Sequence, residues 1–404
     1  MKILLSAYAC EPDRGSEPGV GWNWAMELSA KGHDVWVITR ANNKPVIEEK
    51  LNKLALTNPP RFIYCDLPQK LRFWKKAPGG VNIYYTIWQY IAFFKARKTH
   101  QIENFQLVHH ITFGSFRQSS LMGLLGIPFI FGPVGGGESC PAKLRESYST
   151  RGRIIDFARD LFNLSSRINP MFWIACHKAS DIVCKTKETK ASIPKRFHHK
   201  TSIALEIGIP YKDSKLSPVD SPYKLLFVGR LIFLKGGQLA IHALKMALEV
   251  NPNLELTFLG QGMEKDEWQE LAKNLGISQK IHWLGHVPKV EVDRIYQDQH
   301  IFLFPSLRDS SGNVILEAAS HGLPSICLDV GGPGSIVDDS FGIKASCDSK
   351  TTIEEASRKL SEAIIELSTN SELYQQKCIG ALDKAKNSSW ADAVDAIYAK
   401  WAKE

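Results

Sequence analysis

Short apolar segments alternate with segments of helical periodicity along nearly the whole chain. The apolar segments predict strands at Lys2–Tyr8, Val35–Arg40, Leu107–Ile111, Phe129–Gly132, Asp181–Lys185, Lys224–Val228, Leu254–Gly260, Ile281–Gly285, Ile301–Phe304 and Ser325–Leu328. The periodic segments predict helices at Gly19–Lys31, Arg153–Ala179 with a break near Pro170, Gln238–Leu248 and Asn313–His321. Strands that alternate with helices in this way indicate an α/β protein with parallel sheets covered by helices on both faces.

The length of 404 residues predicts two domains of about 200 residues each. Turn-forming residues at Glu206–Pro210 and 212–222 are typical of a linker, so we place the first domain at 1–205 and the second at 206–388. The last segment, 389–404, has Trp390, Val394, Ile397 and Trp401 on one face of a predicted helix.

Composition excludes some classes of protein. The net charge of +8 suits an anionic ligand or an anionic membrane surface, but no basic motif for nucleic acid accompanies it. The eight cysteines form no C-x-x-C pair and read as reduced thiols of a cytoplasmic protein. The first apolar segment, Ile3–Ala9, is too short for a signal segment and is interpreted as a buried strand, and no stretch approaches the roughly 20 apolar residues that span a bilayer.

The stretch 301–338 carries the clearest chemistry. A strand, a loop and a helix follow one another, and Gly312 lies directly before the helix, where the free amides of Asn313 and Val314 attract an anion. Asp309 and Glu317 flank this turn, so both carboxylates could meet hydroxyl groups of a ligand whose phosphate sits between them. A second loop is predicted at Gly331–Gly334, at the same sheet edge.

A second turn has the residues of a diphosphate site. Gly229 and Arg230 end a strand, and Lys235 precedes two glycines that open a helix. Cations ahead of a helix N-terminus suit a diphosphate, although two surface cations would have the same pattern.

The first half of the chain has weaker signals. Gly15, Gly19 and Gly21 cluster after the first strand without G-x-G-x-x-G spacing, so this turn either contacts a ligand or simply closes onto its helix. His109 and His110 end a strand, and because successive residues point to opposite faces, at most one of them should face a ligand. Three consecutive glycines at 135–137 indicate unusual backbone angles or a close approach to a ligand.

Between Asp66 and Glu103 there is no acidic residue, while seven Lys or Arg and eight aromatic residues fall in the interval. Within it, apolar residues recur at helical spacing, namely Ile83, Ile87, Tyr90, Ile91 and Phe94. Such a helix is a candidate for a membrane interface. Alternatively it is a core-facing helix whose basic C-terminus is favoured by the helix dipole.

Asp309 and Glu317, separated by seven residues, together with the glycine turns and Arg230 and Lys235, resemble the signature of glycosyltransferase family 4. This resemblance implies a GT-B fold, in which two Rossmann-like doubly wound domains face a central cleft and a C-terminal helix crosses back to the first domain. It also implies a retaining transfer of sugar from a nucleotide-sugar donor, a UDP- or GDP-sugar, to a glycan or lipid-linked acceptor. The sequence departs from the family in having Asp309 where Glu is usual, one methylene shorter.

The resemblance implies a role for each matching residue. Arg230, Lys235 and the amides at Gly312, Asn313 and Val314 would bind the donor diphosphate; Gly229, His286, Val287 and Glu317 the nucleoside; and Asp309 the sugar hydroxyls. His110, with His109 as the alternative, would lie at the reacting sugar, and Glu17, Gly19 and Gly136 would form a loop for acceptor or phosphate. No cofactor or metal is expected, because protein cations serve the diphosphate and the chain has no Asp-x-Asp motif.

The expected setting is surface-polysaccharide synthesis by a cytoplasmic protein, peripheral on the inner face of the membrane through residues 70–98. Two other functions remain open: a sugar-nucleotide hydrolase or epimerase of the same fold, and a non-catalytic sugar-nucleotide-binding or scaffold protein in which Asp309 marks a degraded site.

Overall fold

The computed structural model describes residues 1–68, 70, 80–210 and 223–401, so part of the predicted linker, 212–222, lies outside the described residues. The strands are β1 (Lys2–Ser6), β2 (Asp34–Arg40), β3 (Arg61–Cys65), β4 (Leu107–His110), β5 (Phe129–Val134), β6 (Asp181–Cys184), β7 (Thr201–Ile203), β8 (Tyr223–Val228), β9 (Leu254–Leu259), β10 (Ile281–Gly285), β11 (Ile301–Phe304), β12 (Ser325–Leu328) and β13 (Gly342–Ala345).

The helices are α1 (Ser16–Ala30), α2 (Lys44–Leu54), α3 (Gly80–Glu103), α4 (Thr150–Ser165), α5 (Pro170–Lys178), α6 (Lys187–Ser192), α7 (Gly237–Ala247), α8 (Lys265–Asn274), α9 (Lys289–Gln297), α10 (Asn313–Ser320), α11 (Gly331–Ile336), α12 (Ile353–Thr369), α13 (Ser371–Lys386) and α14 (Trp390–Tyr398). Every predicted strand is present, and the predicted break near Pro170 separates α4 from α5. Each described strand pairs with its neighbours in parallel, as the alternation of elements predicted.

The chain divides into two compact units. Unit 1 contains Met1–Gly137, Asp160–Ile207 and the last segment from Trp390, and unit 2 contains Glu138–Arg159 and Gly208–Ser389. The predicted first domain, 1–205, is therefore wrong in one segment, since Glu138–Arg159 belongs to unit 2. The segment belongs to unit 2 because three of its apolar side chains are buried in the core of that unit, namely Cys140, Leu144 and Tyr148.

Unit 1 has a seven-stranded sheet in the order β3-β2-β1-β4-β5-β6-β7, and unit 2 a six-stranded sheet in the order β10-β9-β8-β11-β12-β13. The central strands are buried along their whole length, for example Leu107–His110 and Ile301–Phe304, as expected of parallel strands covered on both faces. In each sheet the order reverses once, next to β1 in unit 1 and next to β8 in unit 2. Ligands of open α/β sheets bind at the carboxyl ends of the strands at such a reversal.

Two local predictions are wrong. Gly331–Gly334 is the start of a short helix, α11, instead of a flexible loop. Helix α1 starts at Ser16, so Glu17 lies in its first turn and not in the loop before it.

Candidate functional site

The reversal in the sheet of unit 2 lies between β8 and β11. The residues that follow these two strands are Gly229 and Arg230 on one side and Pro305–Asp309 on the other. The sequence predicts cations that bind a diphosphate in the first loop and a carboxylate in the second. The sheet order therefore brings together two groups of residues that lie about 75 residues apart in the chain.

Lys235 and Asp309 form an ion pair across this reversal. The backbone of the two loops is in direct contact, since a Cβ on Gly236 would stand 2.0 Å from the carbonyl oxygen of Pro305, and Gly236 has a φ of +70°. The Lys235 ammonium also lies 5.1 Å from the centre of the Phe304 ring. Both partners keep about a fifth of their side-chain surface exposed, 18% and 20%, so the pair remains accessible to a ligand.

The N-terminus of α10 lies beside this pair. Gly312 has a left-handed conformation with a φ of +91°, and it supplies no side-chain cap to the helix. The amide of Ile315 donates to the Gly312 carbonyl at 2.9 Å, while the amides of Asn313 and Val314 have no partner in the part of the chain that the structure describes. Two unpaired donors at a helix N-terminus next to a lysine favour an anion.

Glu317 is held by a neighbouring helix. The Tyr296 hydroxyl of α9 donates to Glu317 Oε2 at 3.4 Å, and the ring of Tyr296 stacks on His321 with centroids 5.2 Å apart. Burial, followed by the charge of Glu317, holds the pKa of Tyr296 well above its usual value, so the hydroxyl stays protonated and remains a donor. Sequence reasoning missed Tyr296, because nothing in its local pattern marks a partner in α10.

The residues assigned to the nucleoside lie in loops at the same edge of the sheet. The amide of Gly260 donates to the carbonyl of Gly285 at 2.9 Å, which ties the loop after β9 to the loop before His286. A Cβ on Gly229 would meet no atom closer than 3.8 Å, so the backbone there is open to close approach. Arg230 and His286 are exposed, and Arg230 makes no ion pair with any residue in the described ranges.

Unit 1 has a corresponding contact at its own reversal, between β1 and β4. The amide of Gly114 donates to Glu17 Oε1 at 3.0 Å, which connects the first turn of α1 to the loop after β4. Packing accounts for the glycine at position 19, because a Cβ there would stand 2.1 Å from the Arg14 carbonyl oxygen. The loop thus closes onto its own helix at Gly19, which was the alternative open from the sequence. Gly136 has a φ of +110°, which accounts for glycine at that position.

The two histidines of β4 face opposite sides of the sheet. His109 Nε2 donates to the Gly132 carbonyl at 2.6 Å and its Nδ1 lies 3.0 Å from the Tyr398 hydroxyl of α14. His110 contacts the Tyr85 hydroxyl of α3 and the Ser6 hydroxyl, each at 3.3 Å.

Both rings are buried, and this burial lowers the pKa of His109 to about 4 and that of His110 to about 3. Both are therefore neutral at pH 7. Each ring nitrogen of His110 has a protein partner, one in α3 and one in β1, so the buried ring is held between these two elements.

Helix α3 has two apolar faces. One packs in the core of unit 1 through Tyr84, Tyr85, Trp88, Ala92 and Ala96. Four of the five residues singled out from the sequence form the other face and are exposed, namely Ile83 (60%), Ile87, Tyr90 and Phe94 (63%), whereas the fifth, Ile91, packs against the core of unit 1. The core-facing alternative is therefore wrong for these four residues. Most of the residues at 69–79 lie outside the described ranges.

Two kinds of feature are absent from the residues that the structure describes. No helix there is long and apolar enough to cross a membrane. No cluster of three or more metal-ligating side chains is present there either.

The family match of this chain lies within unit 2. Residues 210–377 match the family model described as glycosyl transferases group 1. The D-inositol 3-phosphate glycosyltransferase of Corynebacterium diphtheriae is 28% identical over 180 residues, 43% of this chain and 40% of that protein. A glycogen synthase of Mycobacterium tuberculosis is 32% identical over 130 residues, 32% of this chain and 31% of that protein. The matching segments thus span less than half the length of these relatives.

Solved structures match over the whole chain. The lipopolysaccharide outer core galactosyltransferase WaaB superposes with a TM-score of 0.64 at 14% identity and covers 100% of both chains. Anabaena HepE in complex with UDP superposes with a TM-score of 0.61, also at 14% identity and 100% of both chains. At such identities the likeness concerns the fold. The chain therefore has the α/β GT-B fold with two Rossmann-like units, and its residues 210–377 match the glycosyl transferases group 1 model.

Proposed function

We propose that this protein is a retaining glycosyltransferase that moves a sugar from a UDP- or GDP-sugar to a glycan or lipid-linked acceptor. The observation that carries the proposal is the Lys235–Asp309 pair, which lies at the sheet reversal beside the unpaired amides of Asn313 and Val314. A nucleotide sugar needs a cationic site for its diphosphate next to a carboxylate for its sugar hydroxyls. This arrangement has both within one compact unit.

The chemistry assigned to these residues is electrostatic. As the bond between sugar and diphosphate breaks, negative charge grows on the diphosphate, and Arg230, Lys235 and the α10 amides are already aimed at it. Because these groups supply the positive charge, no divalent metal or cofactor is part of the proposal. Glu317 accepts from the ribose hydroxyls, and Asp309 accepts from the sugar while its other partner is Lys235. In unit 1, Glu17 and Gly136 belong to the proposed loop for acceptor or phosphate, whereas His110, which the resemblance placed at the reacting sugar, is buried.

The relatives support this chemical class. One structural neighbour is a galactosyltransferase of the lipopolysaccharide outer core, and another was solved with UDP and glucose. We propose surface-polysaccharide synthesis as the setting by analogy with these neighbours.

A thermal-shift panel tests the donor site. UDP, GDP, ADP, CMP and their sugars are added to the wild type and to Glu317→Ala, with and without magnesium. We expect one nucleotide sugar to raise the melting temperature of the wild type, by about 2–5 °C at 100-fold excess over Kd. The shift should be lost in the variant and be indifferent to magnesium. A magnesium requirement would refute metal independence. The absence of any shift would refute the donor site and favour a scaffold protein, and turnover without an acceptor would favour a hydrolase or epimerase.

We also propose that α3 touches an anionic membrane through its exposed apolar face, next to the cations Lys95, Arg97 and Lys98. The expected result is co-sedimentation of the wild type with vesicles that contain phosphatidylglycerol. The double variant Ile83→Ser/Phe94→Ser should lose at least about tenfold in affinity, since two apolar side chains leave the lipid. Ile379→Ser, an exposed apolar residue of α13, is the matched control. Equal binding by the double variant and the control, or no binding by the wild type, would refute the proposal.

A further inference from the structure

Helix α4 turns a charged residue inward. Asp156 lies in the segment Glu138–Arg159, which belongs to unit 2, and its side chain is only 2% exposed. An ionised carboxylate is costly to bury unless ionic partners surround it. The partners of Asp156 therefore determine what this segment contributes to unit 2.

Asp156 is held between two arginines. Arg308 donates from Nη1 to Asp156 Oδ1, and the side chain of Arg308 is itself only 7% exposed. Arg145 Nε lies 3.3 Å from Asp156 Oδ2. Because each buried charge depends on the other, removing the Asp156 carboxylate would take from the buried Arg308 the charge that holds it.

Arg308 directly precedes Asp309, the carboxylate that pairs with Lys235. The backbone of the same loop has two further attachments: the amide of Leu307 donates to the Leu234 carbonyl at 2.9 Å, and the amide of Gly332 donates to the Asp309 carbonyl at 2.8 Å. These hydrogen bonds attach the loop on either side of Arg308. The Arg308 side chain is the attachment between them, and its anchor is Asp156.

We propose that Asp156 is a positioning residue, which holds Arg308 so that Asp309 is aimed at Lys235 and at the sugar of the donor. The inference rests on the proposed function for its catalytic consequence, but its geometric part, the link from Asp156 to the Lys235–Asp309 pair, does not. Asp156 touches no substrate. Its effect should therefore fall on the step that needs the sugar correctly placed, and not on binding of the nucleotide.

The experiment compares the wild type with Asp156→Asn, Asp156→Glu and a control, Glu362→Gln, which removes a carboxylate from an exposed ion pair of unit 2. The affinity for UDP and GDP, the affinity for their sugars, and kcat and KM are measured. Acetylation of Lys235 by an N-hydroxysuccinimide ester is followed by mass spectrometry, with the exposed Lys273 as the internal reference.

In Asp156→Asn we expect kcat to fall about 100-fold, as for a misplacement of about 1 Å, while nucleotide affinity stays within about threefold. Lys235 should be acetylated faster, because its partner is no longer held in place. Asp156→Glu keeps a carboxylate at this position, so its kcat and its rate of Lys235 acetylation should lie between those of the wild type and Asp156→Asn. Unchanged kcat and unchanged Lys235 acetylation in Asp156→Asn would overturn the inference.

A second variant tests the same inference if Asp156→Asn does not fold. Asp156→Leu/Arg308→Met replaces the buried pair by apolar groups, which proteins tolerate better than a lone buried charge. It should fold, lose kcat and acetylate Lys235 faster. A folded double variant with wild-type kcat would overturn the inference. If the wild type binds no nucleotide and yet Lys235 acetylation rises in Asp156→Asn, the link to Lys235 stands and the proposed function fails.

Discussion

A Lys235→Met variant is expected to lose about 100- to 1,000-fold in kcat/KM for transfer, the size of effect seen when one preorganised donor to a developing charge is removed. The loss has two physical sources. The leaving diphosphate loses a cation, and Asp309 loses its ion-pair partner and repels the diphosphate. The measurement is a steady-state assay with the nucleotide sugar selected by thermal shift.

Stability should hardly change in this variant. The pair is partly exposed, and such pairs contribute about 0–1 kcal/mol. Lys273→Met, which removes an exposed lysine of α8 paired with Glu270, is the control and should retain full activity. Lys235→Arg keeps the positive charge but has a side chain of a different shape, so its kcat/KM should lie between those of the wild type and Lys235→Met. If Lys235→Met stays within threefold of the wild type, the assignment of this lysine to the diphosphate is wrong.

Glu317→Gln is expected to weaken the binding of nucleotide and nucleotide sugar equally, by about 10- to 100-fold. The side chain keeps its size but loses its charge, and hydrogen bonds to charged groups contribute about 1.5–3 kcal/mol. Titration calorimetry with both ligands checks the result. A loss confined to the nucleotide sugar would show that Glu317 contacts the sugar and not the ribose.

Tyr296→Phe separates orientation of Glu317 from direct contact. It removes only the hydroxyl that donates to Glu317 and should cost about two- to tenfold in nucleotide affinity. If Tyr296 acts through Glu317, the double variant Tyr296→Phe/Glu317→Gln should be no worse than Glu317→Gln alone. Additive losses would mean that the tyrosine acts independently.

Much of the fold follows from local pattern. The apolar segment Ile301–Phe304, the glycine at 312 and the periodic residues after it all lie between positions 301 and 320, and β11 and α10 form where they predict. Such short-range features depend on period and backbone angle alone. The order of strands and helices then requires parallel sheets, whose carboxyl ends collect the loops.

Other features depend on residues that are far apart in the chain. Lys235 and Asp309 are singled out as separate ligand groups by their own surroundings, but only the pairing of β11 with β8 makes them partners. Tyr296 becomes a partner of Glu317 through the packing of α9 near α10. Helix α3 illustrates the same limit, because one amphipathic pattern cannot tell which of two apolar faces enters the core.

The sequence by itself determined the α/β class, the positions of most strands and of some helices, and the residue types of a diphosphate and hydroxyl site, because these depend on composition and short-range spacing. Only the tertiary structure decided that Glu138–Arg159 belongs to unit 2, that His109 and His110 are both buried, and that Asp156 pairs with Arg308. Those outcomes depend on which surfaces of the chain pack against each other and exclude water. A buried charge requires an ionic partner, but the tertiary fold determines which residue becomes that partner.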